Sequence, residues 1–208
     1  MADYKLHCFA ESGHSYKAAL MLELSGADWE PVFVDFMNGA VRAPEYLELN
    51  EMAEAPVLDH KGVRLTQSGV ILDYLATSLG KFAPGSAVER REVLRWVLWD
   101  NHKMSSQAGV TRFLMNFVPE EKRPEQVIGF LQGRLKAALT VLERRLDGRE
   151  WVATDNPTYA DFSCCSYLYY PEPFGFDRGD WPNIAAWLDR IAALDGWQHP
   201  YDLMPGRK

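Results

Sequence analysis

The chain has 208 residues, 47% of them hydrophobic, which is enough for one large domain or two small ones around a real core. Its 22 Lys and Arg against 29 Asp and Glu give a net charge of -7, which argues against a nucleic-acid or anionic-membrane surface as the main partner. The opening MADYKLHCFAE lacks the basic start and long apolar run of a secretion signal, and no stretch approaches the ~20 apolar residues that span a bilayer, so a cytoplasmic location is expected.

Residues 6–9 read as a strand, and 15–24 as a helix with Ala18, Ala19, Met21 and Leu22 on one broad side, ended by Ser25-Gly26. Between them, Glu11-Ser12-Gly13 makes a tight turn that brings a hydroxyl to the helix start. Residues 29–34 read as a second strand, parallel to the first across a crossover helix. A short proline-started helix over 44–49 follows, then a hairpin of strands at 56–58 and 63–66, then a helix over 68–79 with Ile71, Leu72, Leu75 and Leu79 inward. This βαβ-ββα pattern predicts a small mixed sheet with helices on its faces, a domain over 1–80. Pro, Gly and Ser mark 81–87 as a linker, and 88–208 read as an all-helical bundle domain. Its helices are expected over 88–104, 125–146, 162–170 and 182–194, with a polar, irregular tail from 196. Thr158-Tyr159-Ala160-Asp161 reads as a capping box for the third of these.

Cys8, Cys164 and Cys165 show neither CxxC nor metal-site spacing and read as packed, inert thiols, with no metal indicated. Three places hold chemistry. At the first turn, a hydroxyl beside unpartnered helix N–H groups suits an anion or thiolate, with Ser12 the candidate and Ser15 the alternative: one the reactive hydroxyl, the other the N-cap. The five histidines form no triad, so the hydroxyl reads as a donor and not a nucleophile, and His14 reads as a solvated neighbour. At Glu54-Ala55-Pro56, the proline either starts an edge strand with a trans bond or makes a cis bond that turns the Ala55 backbone toward a peptide-like ligand. At Gln67-Ser68, Ser68 caps the following helix and is also placed to hold a ligand carboxylate, with Gln67 against a nearby amino group.

The order SGHSYK, APVL, QSGVILDYLA, NPTYADFS and WPNIAAWLDRIAALDGW followed by HPYDLMPG resembles the cytosolic glutathione transferases, bacterial and serine-type members in particular, over nearly the whole chain. The resemblance implies a thioredoxin-like first domain and a helical second one. It implies that Ser12 holds the glutathione thiolate, that Pro56 is a cis-proline, that Ala55 meets the cysteinyl part, and that Gln67 with Ser68 takes the γ-glutamyl end. It further implies a homodimer in which Asp100 or Asn101 reaches toward the partner subunit's glutathione. Glutathione is then a co-substrate, no cofactor is tightly bound, and a small apolar electrophile binds where the halves meet, near Trp99, Met104, Phe113 and Phe117, in a detoxification reaction. Family members often have a valine at position 55, a basic or amide residue at 54 and a glutamate at 67. Glu54 is therefore expected to repel the glycyl carboxylate by ~1 kcal/mol or more, and Gln67 to lack the charge that pairs with the ligand ammonium. Two further readings share the fold: a non-catalytic ligand-binding or protein-interaction module, and a glutathione-dependent isomerase, peroxidase or dehalogenase.

Overall fold

The computed structural model describes residues 2–206. Strands β1 (Tyr4–Cys8), β2 (Trp29–Phe33), β3 (Val57–His60) and β4 (Val63–Thr66) form one sheet in the order β2-β1-β3-β4. β1 and β2 run parallel and are joined through helix α1 (Gly13–Leu24), whereas β3 is antiparallel to both neighbours, so the expected βαβ unit and hairpin share one mixed sheet. The expected helix over 44–49 is the short α2 (Pro44–Leu47), and α3 (Ser68–Leu79) packs beside α1. α1 buries every residue from Ser15 to Leu22, and not only the face predicted. A helix that is apolar nearly all round belongs inside a core, which is where this one lies.

The register decides what meets at one sheet edge. His7 lies opposite Val57 and Val57 opposite Thr66. The end of β1, the start of β3 and the end of β4 therefore finish side by side, and the three candidate places are the turns that leave them.

The second compact unit runs from Pro84 to Ala193. It holds α4 (Ala87–Trp99), a π-helical turn Asp100–Met104, α5 (Ser105–Asn116), α6 (Glu125–Leu146), α7 (Tyr159–Cys165), a 3-10 turn Ser166–Tyr169 and α8 (Pro182–Ala192). The predicted helix over 88–104 thus widens after Trp99 and runs on as α5, which its periodicity does not announce. Asp100 sits at that widening, fully buried, accepting from the hydroxyls of Ser105 at 2.8 Å and Ser163 at 2.7 Å. In α6, the spacing predicts a buried row of Ile128, Leu131, Leu135, Ala138, Leu139, Leu142 and Leu146, and all are buried but Leu131, which is half-buried. Both halves of the Thr158/Asp161 capping box are formed. Among the described residues no helix is long and apolar enough to cross a membrane.

The tail departs from expectation. Polarity predicts an irregular segment of the helical half, yet the chain from Leu194 onward groups with the first unit, and Pro200–Leu203 forms the short helix α9. Its polar groups are what fasten it. The Ala10 N–H donates to the Pro205 carbonyl at 2.7 Å, the Tyr16 hydroxyl to the Gln198 carbonyl at 2.7 Å, and the Gln198 amide to Glu23 at 3.0 Å. Contact is so close that a Cβ at Gly206 would lie 2.6 Å from the Ala10 Cβ. Only glycine lets the backbone approach the residues leading into the Ser12 turn.

Candidate functional site

Ser12 is the N-cap of α1, and its Oγ accepts from the Ser15 N–H at 3.1 Å. A hydroxyl that accepts through a lone pair keeps its own proton, so Ser12 remains a donor. It sits at the positive end of a 12-residue helix whose first turn carries no acidic residue. Ser15 has no exposed surface, and its Oγ makes no hydrogen bond among the described residues. Of the two roles that the sequence divides between these serines, the N-cap falls to Ser12, which keeps 7% of its surface exposed against none for Ser15.

The Ala55–Pro56 bond is cis. The segment before it is fixed from two sides. The Glu54 carbonyl accepts from Asn50 Nδ2 at 2.8 Å and from the Tyr46 hydroxyl at 3.0 Å, and Ala55 packs on the apolar cluster of Phe9, Val34, Val41, Tyr46 and Val57. The Glu54 side chain leaves this support and meets Gln67, whose Nε2 donates to Glu54 Oε2 at 2.8 Å.

Ser68 is not the cap of α3, contrary to the sequence reading. Gln67, at φ 66°, occupies the cap position without a side-chain cap bond, and Ser68 is the first helical residue. The helix therefore starts one residue earlier than a serine cap implies, and its first N–H groups have no side-chain acceptor of their own. The Ser68 hydroxyl meets His14 Nδ1 at 3.3 Å, which ties the start of α3 to the Ser12 turn.

His14 is half-buried, not a solvated loop residue, and burial, aided by the Lys17 charge, pushes its pKa down to about 3. It is neutral at neutral pH. An unfolded chain takes up a proton at this histidine near pH 6.5, and the folded chain refuses it until about pH 3. Stability contributed this way is present above pH 6.5 and is lost as pH falls toward 3. The urea midpoint is therefore expected to drop between pH 7 and pH 5, and His14→Gln to flatten that drop. Equal slopes in the two proteins would show that His14 is not the group responsible.

The remaining candidates lie elsewhere. Asp100, expected to reach toward a partner subunit, has no exposed surface and is engaged by Ser105 and Ser163, so its carboxylate belongs to the interior of its own unit. Asn101 is half-buried in the same π-helical turn. Met104 is buried, Trp99 packs edge-on against Trp96, and Phe113 stacks with Phe117. All three cysteines are buried and form no disulfide among the described residues, and burial pushes the Cys8 thiol up to about 12. What sequence reasoning missed is the Glu54–Gln67 contact; both are polar residues flanking opposite ends of one hairpin, which was the available signal.

The family described as "Glutathione S-transferase, N-terminal domain" matches residues 2–77, and "Glutathione S-transferase, C-terminal domain" matches residues 107–195. A maleylacetoacetate isomerase of Pseudomonas aeruginosa is 30% identical over 206 residues, covering 94% of this chain and 95% of that protein. The crystal structure of a glutathione S-transferase from Pseudomonas fluorescens superposes with a TM-score of 0.89 at 30% identity, over 97% of this chain and 100% of that one. A glutathione transferase from Burkholderia graminis, whose structure holds two glutathione molecules per subunit, gives 0.84 at 27% identity over 94% and 85%. Sequence, sheet order and these likenesses agree that the chain belongs to the glutathione S-transferase family.

Proposed function

We propose that the first unit binds glutathione and that the protein adds its sulfur to a small apolar electrophile. Ser12 donates to the thiolate, the Ala55 backbone pairs with the cysteinyl part, and Gln67 with Ser68 at the start of α3 takes the γ-glutamyl end. The observation that carries this reading is the Ser12 hydroxyl, oriented by the Ser15 N–H with its own proton left to give. A free thiol titrates near 8.5, and each unit of lowering, worth ~1.4 kcal/mol, raises the thiolate fraction about tenfold at neutral pH. One O–H···S⁻ bond together with a helix dipole supplies about one or two such units. The thiol proton goes to solvent, the sulfur pair forms the new S–C bond, and a leaving group departs with its electrons or the adduct takes up a proton.

Calorimetric titration with glutathione, with the ultraviolet absorbance of the bound thiolate followed against pH, tests this. Saturable binding with a lowered thiol pKa is expected. Absence of heat up to millimolar glutathione would overturn the reading in favour of a non-catalytic binding module.

The isomerase relative supports a second reading, in which the sulfur adds to a double bond, allows rotation and leaves again. Turnover of a cis-unsaturated keto acid without loss of free thiol would favour it, and stoichiometric thiol loss with an electrophile favours transfer. The proposal includes a homodimer, for which the exposed pair Leu94 and Leu98, one turn apart on α4, speaks. It also includes a cytoplasmic, reducing setting, in line with three cysteines that form no disulfide among the described residues.

A further inference from the structure

We infer that Glu54 binds the α-ammonium group of the ligand's γ-glutamyl end and supplies from the cis-proline loop the negative charge that Gln67 lacks. The inference rests on the glutathione reading of the site. In sequence, Glu54 adjoins Ala55 and is expected to oppose the ligand's glycyl carboxylate. In the structure its side chain turns to Gln67, and Oε2 accepts from Gln67 Nε2 at 2.8 Å, which sets the carboxylate beside the start of α3.

An amino-acid head group carries its carboxylate and its ammonium on one carbon. If the first N–H groups of α3 and the Ser68 hydroxyl take the carboxylate, the ammonium falls within about one residue of Ser68. The acceptors there are the amide oxygen of Gln67 and the carboxylate of Glu54. Gln67 is already oriented, because its Nε2 donates to Glu54 and faces the Met52 sulfur, so its oxygen is what remains to accept. Glu54 is held as well, since Asn50 and Tyr46 grip its carbonyl and so fix where its side chain begins. Glu54 and Gln67 then form one composite acceptor, with the amide positioning the charge. Both side chains are solvent-exposed, so the expected gain is modest and is screened by salt.

Three probes separate the possibilities: glutathione, N-acetylglutathione, whose ammonium has become a neutral amide, and the glycyl ethyl ester, whose far carboxylate is neutral. Calorimetry at low salt is expected to show Glu54→Gln binding glutathione and the ester about three- to fivefold more weakly than wild type, N-acetylglutathione equally, and the difference fading at high salt. Glu54→Asp, one methylene shorter, is expected to recover part of the loss, and unchanged thermal unfolding of both variants shows that folding is intact. If Glu54→Gln binds glutathione as tightly as wild type, the assignment fails. If it binds glutathione more tightly and the ester no differently, Glu54 faces the glycyl carboxylate and the assignment is likewise overturned. Failure of wild type to bind any of the three probes would sink the glutathione site itself, an outcome distinct from either.

Discussion

Ser12→Ala is expected to lower kcat/KM for glutathione conjugation at neutral pH by about ten- to a hundredfold and to raise the bound thiol's pKa by about one or two units. The deficit should shrink as the pH rises, because the thiol then ionises without help. Alanine also removes the N-cap acceptor of the Ser15 N–H, which costs about 1 kcal/mol and a few degrees of Tm. Ser12→Asp separates these effects, since aspartate caps the helix but donates nothing; its stability should be near wild type and its activity as low as that of the alanine variant. Ser15→Ala removes a buried hydroxyl that makes no hydrogen bond, so its stability should change by less than about 1 kcal/mol and the thiolate pKa not at all. Should Ser15→Ala raise the thiol pKa while Ser12→Ala leaves it alone, the two serines exchange roles.

Asp161 carries the largest expected effect on stability. Fully buried, it accepts from the backbone N–H of Val152 at 2.8 Å, that of Thr158 at 2.9 Å, the Trp187 indole at 3.0 Å and the Thr158 hydroxyl at 3.3 Å. Burial pushes its carboxyl up, against donated hydrogen bonds that pull it down. Asp161→Ala strands these donors in the core, and each unpaired buried group costs about 1–3 kcal/mol. The expected total is about 3–5 kcal/mol, a fall in Tm of about 10 °C. Asp161→Asn keeps the shape but turns an NH₂ toward N–H donors, so it should recover only part of the loss. Thermal melts of the three proteins check this, and a cost below about 1 kcal/mol would mean that the box is an ornament of the fold and not its fastener.

Features that span a few residues were readable in the chain. The capping box is a three-residue relation, the buried row of α6 a repeat within one helix, and the Ser12 turn a junction of strand and helix; each is set by local geometry. Features that depend on which way a side chain faces were not. Ser12 and Ser15 are both buried, and differ in that the Ser12 Oγ caps the helix while the Ser15 Oγ makes no hydrogen bond among the described residues. Ser68 reads as a helix cap until the φ of Gln67 shows that the helix began without one. Glu54 and Gln67 are thirteen residues apart, and only the β3–β4 register brings them together. Asp100 carries no local mark of the hydroxyls that enclose it, because Ser163 comes from another helix.

The tail's grip on Ala10 has a consequence for how the protein is made. The stretch that closes the Ser12 turn is translated only after the entire second unit, although the turn itself precedes that unit. Domains generally fold as units in the order of synthesis, and closing a contact across so long a loop carries an entropic cost. The first unit should therefore leave the ribosome as a formed sheet with an unfinished edge, its Ala10 amide bound to water until Pro205 arrives. A nascent chain stalled before Leu194 would hold all three turns of the site and still lack the strap that steadies the first of them.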